Sequence, residues 1–172
     1  AMAEEDLCIP PDPAGRQYTV LTAVDILSPQ GHTSAKAVLG GGDNLYANTQ
    51  NLFLAVPRTV REEGGQVYTA TDLLRFSLDG GEIQLQASGT VPGTLINQFA
   101  MDEYEGVFRV VTTQSGGTET VSGGIASYVV GGTVNNLYTL NQSLQIVGKL
   151  EGLAKGERVY SVRFNGEVGY FV

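Results

Sequence analysis

A pattern of short apolar segments that recurs along the chain is the feature that most restricts its fold. In each copy, a segment rich in β-branched and aromatic residues alternates with a period of two and ends at a turn. The equivalent positions Leu52, Val107 and Tyr170 are separated by about 55 and about 63 residues. A repeat of this kind predicts an all-β protein that is built from several copies of one small sheet.

The predicted strands are short and are separated by Gly, Pro, Asn and Asp, which favour turns. We place them at Tyr18–Ile26, Ser34–Leu39, Asn44–Ala47, Asn51–Val56, Val67–Leu78, Glu82–Val91, Ile96–Met101, Val107–Thr113, Ile125–Val130, Leu137–Leu140, Leu144–Leu150, Val159–Phe164 and Gly169–Val172. The segment Thr59–Glu63 is predicted to form a single helical turn before Gly64 and Gly65 end it.

Four strands in each unit of about 40–50 residues are typical of a β-propeller blade. One such unit comprises Leu73–Asp79, Glu82–Val91, Ile96–Met101 and Gly106–Val110. The longer second interval is explained by a Gly-, Thr- and Ser-rich insertion at Gln114–Gly132. The predicted fold class is therefore all-β, with β-propeller-like repeats of four-stranded antiparallel blades. About three blades are expected, as a fragment of a larger propeller, since propellers close with about 4–8 blades.

Two regions are predicted within the chain. Residues 1–16 contain three prolines and read as an extended N-terminal arm that begins with Ala1-Met2-Ala3, which resembles a cloning remnant. Residues 17–172 form the open or partial set of blades. An open arc leaves blade faces and strand edges uncovered, so we expect either self-association through the open blade faces or a longer parent chain.

Charge and composition restrict the partners. The net charge of -8 disfavours nucleic acid, because an acidic surface repels phosphate groups. Glycine accounts for 23 of the 172 residues, which suits many tight turns. Cys8 alone makes neither an internal disulfide nor a cysteine-rich metal site. No apolar run is long enough to span a membrane as a helix.

Several segments resemble a family of prokaryotic proteins. The segments are Leu74–Gly81, Ala87–Gly93, Leu95–Tyr104, Asn136–Tyr138 and Leu150–Phe164. They are similar to secreted proteins with a C-terminal β-propeller domain distantly related to WD40 repeats. The resemblance covers residues 70–172 well and residues 17–60 loosely. It implies an extracellular or cell-surface location, with the signal or anchor outside this sequence, and it implies no reaction.

No group of residues predicts catalysis or a bound cofactor. The acidic stretch Asp102–Gly106 has the oxygen ligands that Ca²⁺ prefers, but alternate strand residues face opposite sides, so a solvated hairpin turn is favoured. His32 lies in the predicted turn Pro29-Gln30-Gly31-His32, and the sequence contains no nucleophile motif such as Gly-x-Ser-x-Gly, so a surface histidine is favoured. The glycines at 40–42 and 131–132 lack the lysine and following helix of a phosphate loop. We therefore assign no catalytic, cofactor-binding or metal-binding residues and no cofactor.

Arginines and phenylalanines on the predicted strands have structural interpretations. Four arginines lie on or beside predicted strands: Arg75, Arg109, Arg158 and Arg163. Such residues either line a polar channel or rim, or pair with acidic neighbours across strands, and cross-strand pairing is favoured. Phenylalanines at strand positions are predicted to form the core between blades: Phe53, Phe76, Phe108, Phe164 and Phe171.

Three functions fit these observations. The favoured one is an exported β-propeller scaffold that presents a protein- or glycan-binding surface. The second is a propeller-type hydrolase whose axial metal site is completed by further blades. The third is a structural spacer in the cell envelope. Blade repeats without chemically active residues favour the scaffold, although a fold alone does not determine a function.

Overall fold

The protein is built from β-strands, in agreement with the all-β prediction. A computed structural model describes residues 3–10, 13, 15–28, 31–42 and 44–172 of the chain. Its strands are β1 (Leu7–Cys8), β2 (Tyr18–Val24), β3 (His32–Leu39), β4 (Asn44–Ala47), β5 (Asn51–Arg61), β6 (Gln66–Asp79), β7 (Glu82–Pro92), β8 (Met101–Tyr104), β9 (Val107–Gln114), β10 (Gly116–Ser122), β11 (Ile125–Val130), β12 (Val134–Leu140), β13 (Ile146–Leu153), β14 (Val162–Asn165) and β15 (Val168–Phe171). Two single-turn 3-10 helices lie at Glu4–Asp6 and Gln98–Ala100.

The strands form four sheets. Sheet 1 has the order β1-β3-β2, and sheet 2 has the order β11-β10-β6-β5-β4 with β7 also paired to β6. Sheet 3 has the order β13-β12-β9-β8, and sheet 4 is the hairpin β14–β15. All pairs are antiparallel except β1–β3. Sheets 2 and 3 therefore each contain four neighbouring strands, β4–β7 and β8, β9, β12 and β13.

Strand β5 explains why the apolar residues at 52–56 are continuous rather than alternating. Phe53 and Ala55 pack into the core between sheets 2 and 3, whereas Leu54 and Val56 pack into the core between sheets 1 and 2. A strand that is buried on both faces needs apolar residues at every position. Sheet 2 is thus the inner layer of a stack, with sheets 1 and 3 on its two faces.

Sheet 3 is also covered on both faces. Phe108 and Tyr138 face sheet 2, and Val111 faces sheet 4, where it packs with Val162. The predicted inter-sheet role of the phenylalanines is confirmed for Phe53, Phe76 and Phe108, which are almost fully buried. Phe164 is half-buried in the core between sheets 3 and 4, whereas Phe171, also predicted to be a core residue, is 37% exposed because it lies near the end of the outer hairpin.

The boundary predicted between neighbouring repeat units is wrong. The predicted unit joined β6 and β7 to the following pair, but β6 and β7 belong to sheet 2 and β8 and β9 belong to sheet 3. The reason is that residues 93–100 cross from one sheet to the next, whereas Pro92-Gly93 resembles a hairpin turn. The strand predicted at Ile96–Met101 is consequently wrong over most of its length, and β8 begins at Met101.

Two further predictions need correction. The helical turn predicted at Thr59–Glu63 is wrong, because β5 continues in register with β6 as far as Arg61. The insertion at 114–132 contains β11, as predicted, and also the strand β10, which was not predicted.

Some predictions fall partly outside the described residues. These are the Ala1-Met2 part of the cloning remnant, Pro11 of the arm, Pro29-Gln30 of the predicted turn and Asp43 beside the glycines. His32 begins β3, and its side chain also lies outside the described part. In the described part of the chain, no helix is long and apolar enough to cross a membrane.

Candidate functional site

The two ends of the sheets differ in how their polar side chains are arranged. One end, here called the turn end, carries the hairpin turns between β4 and β5, β8 and β9, and β12 and β13. The other end, the connection end, carries the β5–β6 turn, residues 93–100 and the inserted β10–β11 hairpin. Polar side chains at the turn end bond to one another, whereas those at the connection end line open clefts.

Glu103 is the centre of the polar network at the turn end. Its carboxylate accepts hydrogen bonds from Asn48 Nδ2 at 2.7 Å, Asn51 Nδ2 at 3.0 Å and Gln142 Nε2 at 3.0 Å. Arg75 donates to Asn51 Oδ1 and to the Gln142 carbonyl. These bonds connect β8 and the β12–β13 turn of sheet 3 to sheet 2, so we interpret the network as a clasp between the sheets.

We expect Glu103→Ala to destabilise the protein by about 1–3 kcal/mol, because the buried Asn51 amide and its neighbours lose their acceptor. The measurement is the free energy of unfolding in urea. Glu82→Ala is the matched control, since Glu82 is exposed at another turn of the same end. An equal loss in both variants would contradict the role of the network.

Asp102 lies next to Glu103 but faces the opposite side of sheet 3. It forms an ion pair with Arg109 directly across from it on β9. Arg109 Nη1 also donates to the Gly166 carbonyl at 2.6 Å, and its guanidinium lies 4.7 Å from the Phe164 ring centroid. The predicted cross-strand pairing of Arg109 is therefore confirmed, and the pair attaches sheet 4 to sheet 3.

The acidic stretch 102–106 thus does not bring its carboxylates together. Asp102 and Glu103 point to opposite faces, and Glu105 lies in the hairpin turn with a positive φ of 51°. Within the described residues, no three His, Cys, Asp or Glu side chains gather in a way that could hold a metal ion.

An open cleft at the connection end is the candidate site. It has a volume of about 450 Å³ and is lined by Pro13, Pro57, Arg58, Thr59, Arg61, Thr69 and Thr94. We call it the arginine cleft. Its position follows from the length of β5 and β6. The last residues of β5 and the first residues of β6 extend beyond the core, so their side chains face solvent instead of a neighbouring sheet. The sequence pattern does not predict this site; its signal in the sequence is a pair of arginines, Arg58 and Arg61, at the polar end of an apolar strand.

Arg58 is held in place by a carboxylate. Its Nε donates to Asp72 at 3.0 Å, and Asp72 Oδ1 also accepts from the Thr90 hydroxyl at 2.7 Å. Arg61 is more exposed, and its Nε lies 3.4 Å from Glu119 on β10. Among the described residues, the Nη groups of both arginines have no hydrogen-bond partner.

Neighbouring features enlarge this surface. A second cleft of about 300 Å³ shares Thr94 and includes Arg158 and Tyr160. Behind Arg58, a third cavity reaches the half-buried Cys8, where burial raises the pKa of the thiol. Of the four arginines considered from the sequence, Arg158 lines the second cleft, Arg75 belongs to the clasp, Arg109 pairs with Asp102 and Arg163 lies over Phe99.

Comparison with known proteins identifies the class. The family model of the β-propeller domain matches residues 1–172, and the chain therefore belongs to the β-propeller domain family. An uncharacterized protein of Methanocaldococcus jannaschii is 39% identical over 130 residues, which are 75% of this chain and 18% of that protein. An uncharacterized protein of Archaeoglobus fulgidus is 40% identical over 104 residues, which are 59% of this chain and 13% of that protein. The chain spans less than a fifth of either relative, and no solved structure matches it.

Proposed function

We propose that the chain is a binding module. In this proposal, it forms part of a larger exported propeller and presents the arginine cleft to a carboxylate-rich segment of a protein partner. The observation that carries the proposal is the pair of arginines in the cleft: Arg58 and Arg61 are among its described lining residues, and each is held at its Nε atom by a carboxylate that does not line the cleft, Asp72 and Glu119 respectively.

The larger propeller is supported by the uncovered faces of the outer sheets. In this interpretation, β4–β7 and β8, β9, β12 and β13 are two blades, and sheets 1 and 4 belong to the blades on either side. Tyr18, Val20 and Val24 of sheet 1 are each 56% exposed on the face away from sheet 2. Val168 and Tyr170 of sheet 4 are 50% and 58% exposed on the face away from sheet 3. Apolar rows of this kind are expected to be covered by further blades.

The chemistry of the arginine cleft favours a protein partner. A guanidinium group presents a planar fork of N–H donors that matches a carboxylate in a bidentate way. Thr59, Thr69 and Thr94 add hydroxyl groups that donate or accept hydrogen bonds. No aromatic side chain is among the described residues that line this cleft, whereas sugar rings commonly stack on aromatic faces.

The test is binding of two defined probes, a fluorescent hexaglutamate peptide and the neutral oligosaccharide maltohexaose. We expect saturable, salt-sensitive binding of the peptide that weakens at least fivefold in Arg61→Ala, since Arg61 is exposed and free of the core. Lys155→Ala removes an exposed cation elsewhere and should not change the affinity. Binding of maltohexaose alone would favour a glycan ligand, and binding of neither probe would reject the arginine cleft as this site.

A further inference from the structure

The inserted hairpin β10–β11 carries an uncovered strand edge. Among the described residues, only the first part of the hairpin is bonded through its backbone to the rest of the protein: Gly116, Gly117 and Thr118 pair with β6, and the Glu119 N–H donates to Gly65. All six residues of β11, Ile125–Val130, are exposed, and β11 is the last strand of sheet 2. A two-stranded ribbon that projects into water is only marginally stable by itself, and further strands stabilise it.

The direction of the backbone groups on β11 follows from the hairpin geometry. Gly123 and Gly124 have φ angles of 59° and 79° and form a two-residue turn between the paired residues Ser122 and Ile125. Farther along, the Glu119 N–H points away from β11 and donates to Gly65 at 2.7 Å. Glu119 and Tyr128 are therefore a non-hydrogen-bonded pair.

Because the bonding alternates along the ladder, the N–H and C=O groups of Ala126, Tyr128 and Val130 point to the outer edge. Within the described part of the chain, no strand pairs with that edge. The edge contains no proline and no charged residue. Natural edge strands are commonly protected by such residues, and an unprotected edge is ready to pair with another strand.

We propose that this edge pairs with the same edge of a second copy of the chain. In an antiparallel pair centred on Tyr128, each Tyr128 lies opposite its counterpart, and Ala126 lies opposite Val130. All three outward-facing residues then form hydrogen-bonded pairs, with about six hydrogen bonds across the two-fold axis. A twofold contact must be self-complementary, and this register satisfies the requirement.

The distribution of charge favours contact between two copies at the β10–β11 hairpin rather than elsewhere on the surface. Two chains that each carry a net charge of -8 repel each other. Residues 114–133 include a single charged side chain, Glu119, whose Oε2 lies near Arg61 of the same chain. The hairpin is thus a part of the surface where two copies meet without opposing like charges.

The first test compares the solution mass of three forms by sedimentation over a range of concentrations. We expect the unmodified chain to dimerise and Tyr128→Pro to weaken the dimer at least tenfold, because proline removes an N–H that faces the free edge and leaves the pairing with β10 intact. Circular dichroism and the unfolding temperature check that the fold is kept. Val121→Lys is the control, since Val121 is 71% exposed on β10, away from this edge.

The second test is a crosslink. Hydrogen-bonded residues of antiparallel strands have Cα atoms about 5.5 Å apart, within the range that a disulfide spans. With Cys8 replaced by serine, Tyr128→Cys should therefore form a covalent dimer on mild oxidation, and Val121→Cys should not. A monomer at every concentration, equal crosslinking of both variants, or loss of the dimer in Val121→Lys alone would overturn the proposal; the last result would indicate contact through the face of the hairpin.

Discussion

Phe53→Ala is expected to lower the free energy of unfolding by about 3–5 kcal/mol, the range found when a buried aromatic side chain is removed from a core. Phe53 is 1% exposed in the core between sheets 2 and 3. Its ring stacks on Phe108 with the centroids 4.1 Å apart and the planes 10° apart, and Tyr46 lies against it at 6.1 Å. The truncation leaves a cavity that neighbouring strands cannot fill.

The measurement is urea-induced unfolding followed by circular dichroism. Phe99→Ala serves as the control, because Phe99 is 51% exposed beside Arg163 and should cost about 1 kcal/mol or less. A small effect in Phe53→Ala would mean that sheets 2 and 3 are not packed as described.

Arg109→Met is expected to lower the free energy of unfolding by about 3 kcal/mol. We expect it to weaken the attachment of sheet 4 to sheet 3 in particular. Removing one partner of a largely buried ion pair leaves the other charge unpaired, and Arg109 is only 9% exposed. The substitution also removes the hydrogen bond to Gly166 and the contact with the Phe164 ring. Hydrogen exchange of residues 162–171 should therefore increase more than that of sheet 2.

Arg163→Met is the control for a general loss of positive charge. Because Arg163 is exposed, we expect this variant to lower the free energy of unfolding by about 0.5–1 kcal/mol only. A double-mutant cycle with Asp102→Asn measures the coupling within the pair. Uniform exchange throughout the chain in Arg109→Met would contradict a local role in holding sheet 4.

Much of the fold could be predicted from the sequence because strand patterns are local. Alternation and turn residues predict β4 with its observed bounds, and they predict a strand at Asn51–Val56, which is the first part of β5. The division of the repeat could not be predicted, since a turn within a sheet and a crossing between sheets use similar residues. Pro92 and Gly93 illustrate this: Gly93 continues to bond to Thr69 of sheet 2 before the chain leaves for sheet 3.

Strand β10 was not predicted because its signal is tertiary. Gly116 and Gly117 disfavour a strand by propensity. In the structure, a Cβ atom on Gly116 would lie 2.7 Å from the Val67 carbonyl oxygen, so the close approach to β6 needs glycine there. The arginine cleft was missed for a related reason: Arg58 and Arg61 acquire a common surface only when Thr94, from another sheet connection, folds beside them.

The sharing of one edge of β6 between β7 and β10 has a consequence for how the chain opens. Proteins built from stacked units usually loosen unit by unit, since each unit contacts only its neighbours. Here a segment inserted into sheet 3 is hydrogen-bonded into sheet 2, and Thr94 and Thr113 exchange two further backbone bonds nearby. Backbone hydrogen bonds thus join sheets 2 and 3 into one cooperative unit, whereas sheets 1 and 4 are attached through side-chain packing and side-chain hydrogen bonds. Amides of β2 and β14 should exchange early, and those of β5, β6, β9 and β12 should exchange late and together.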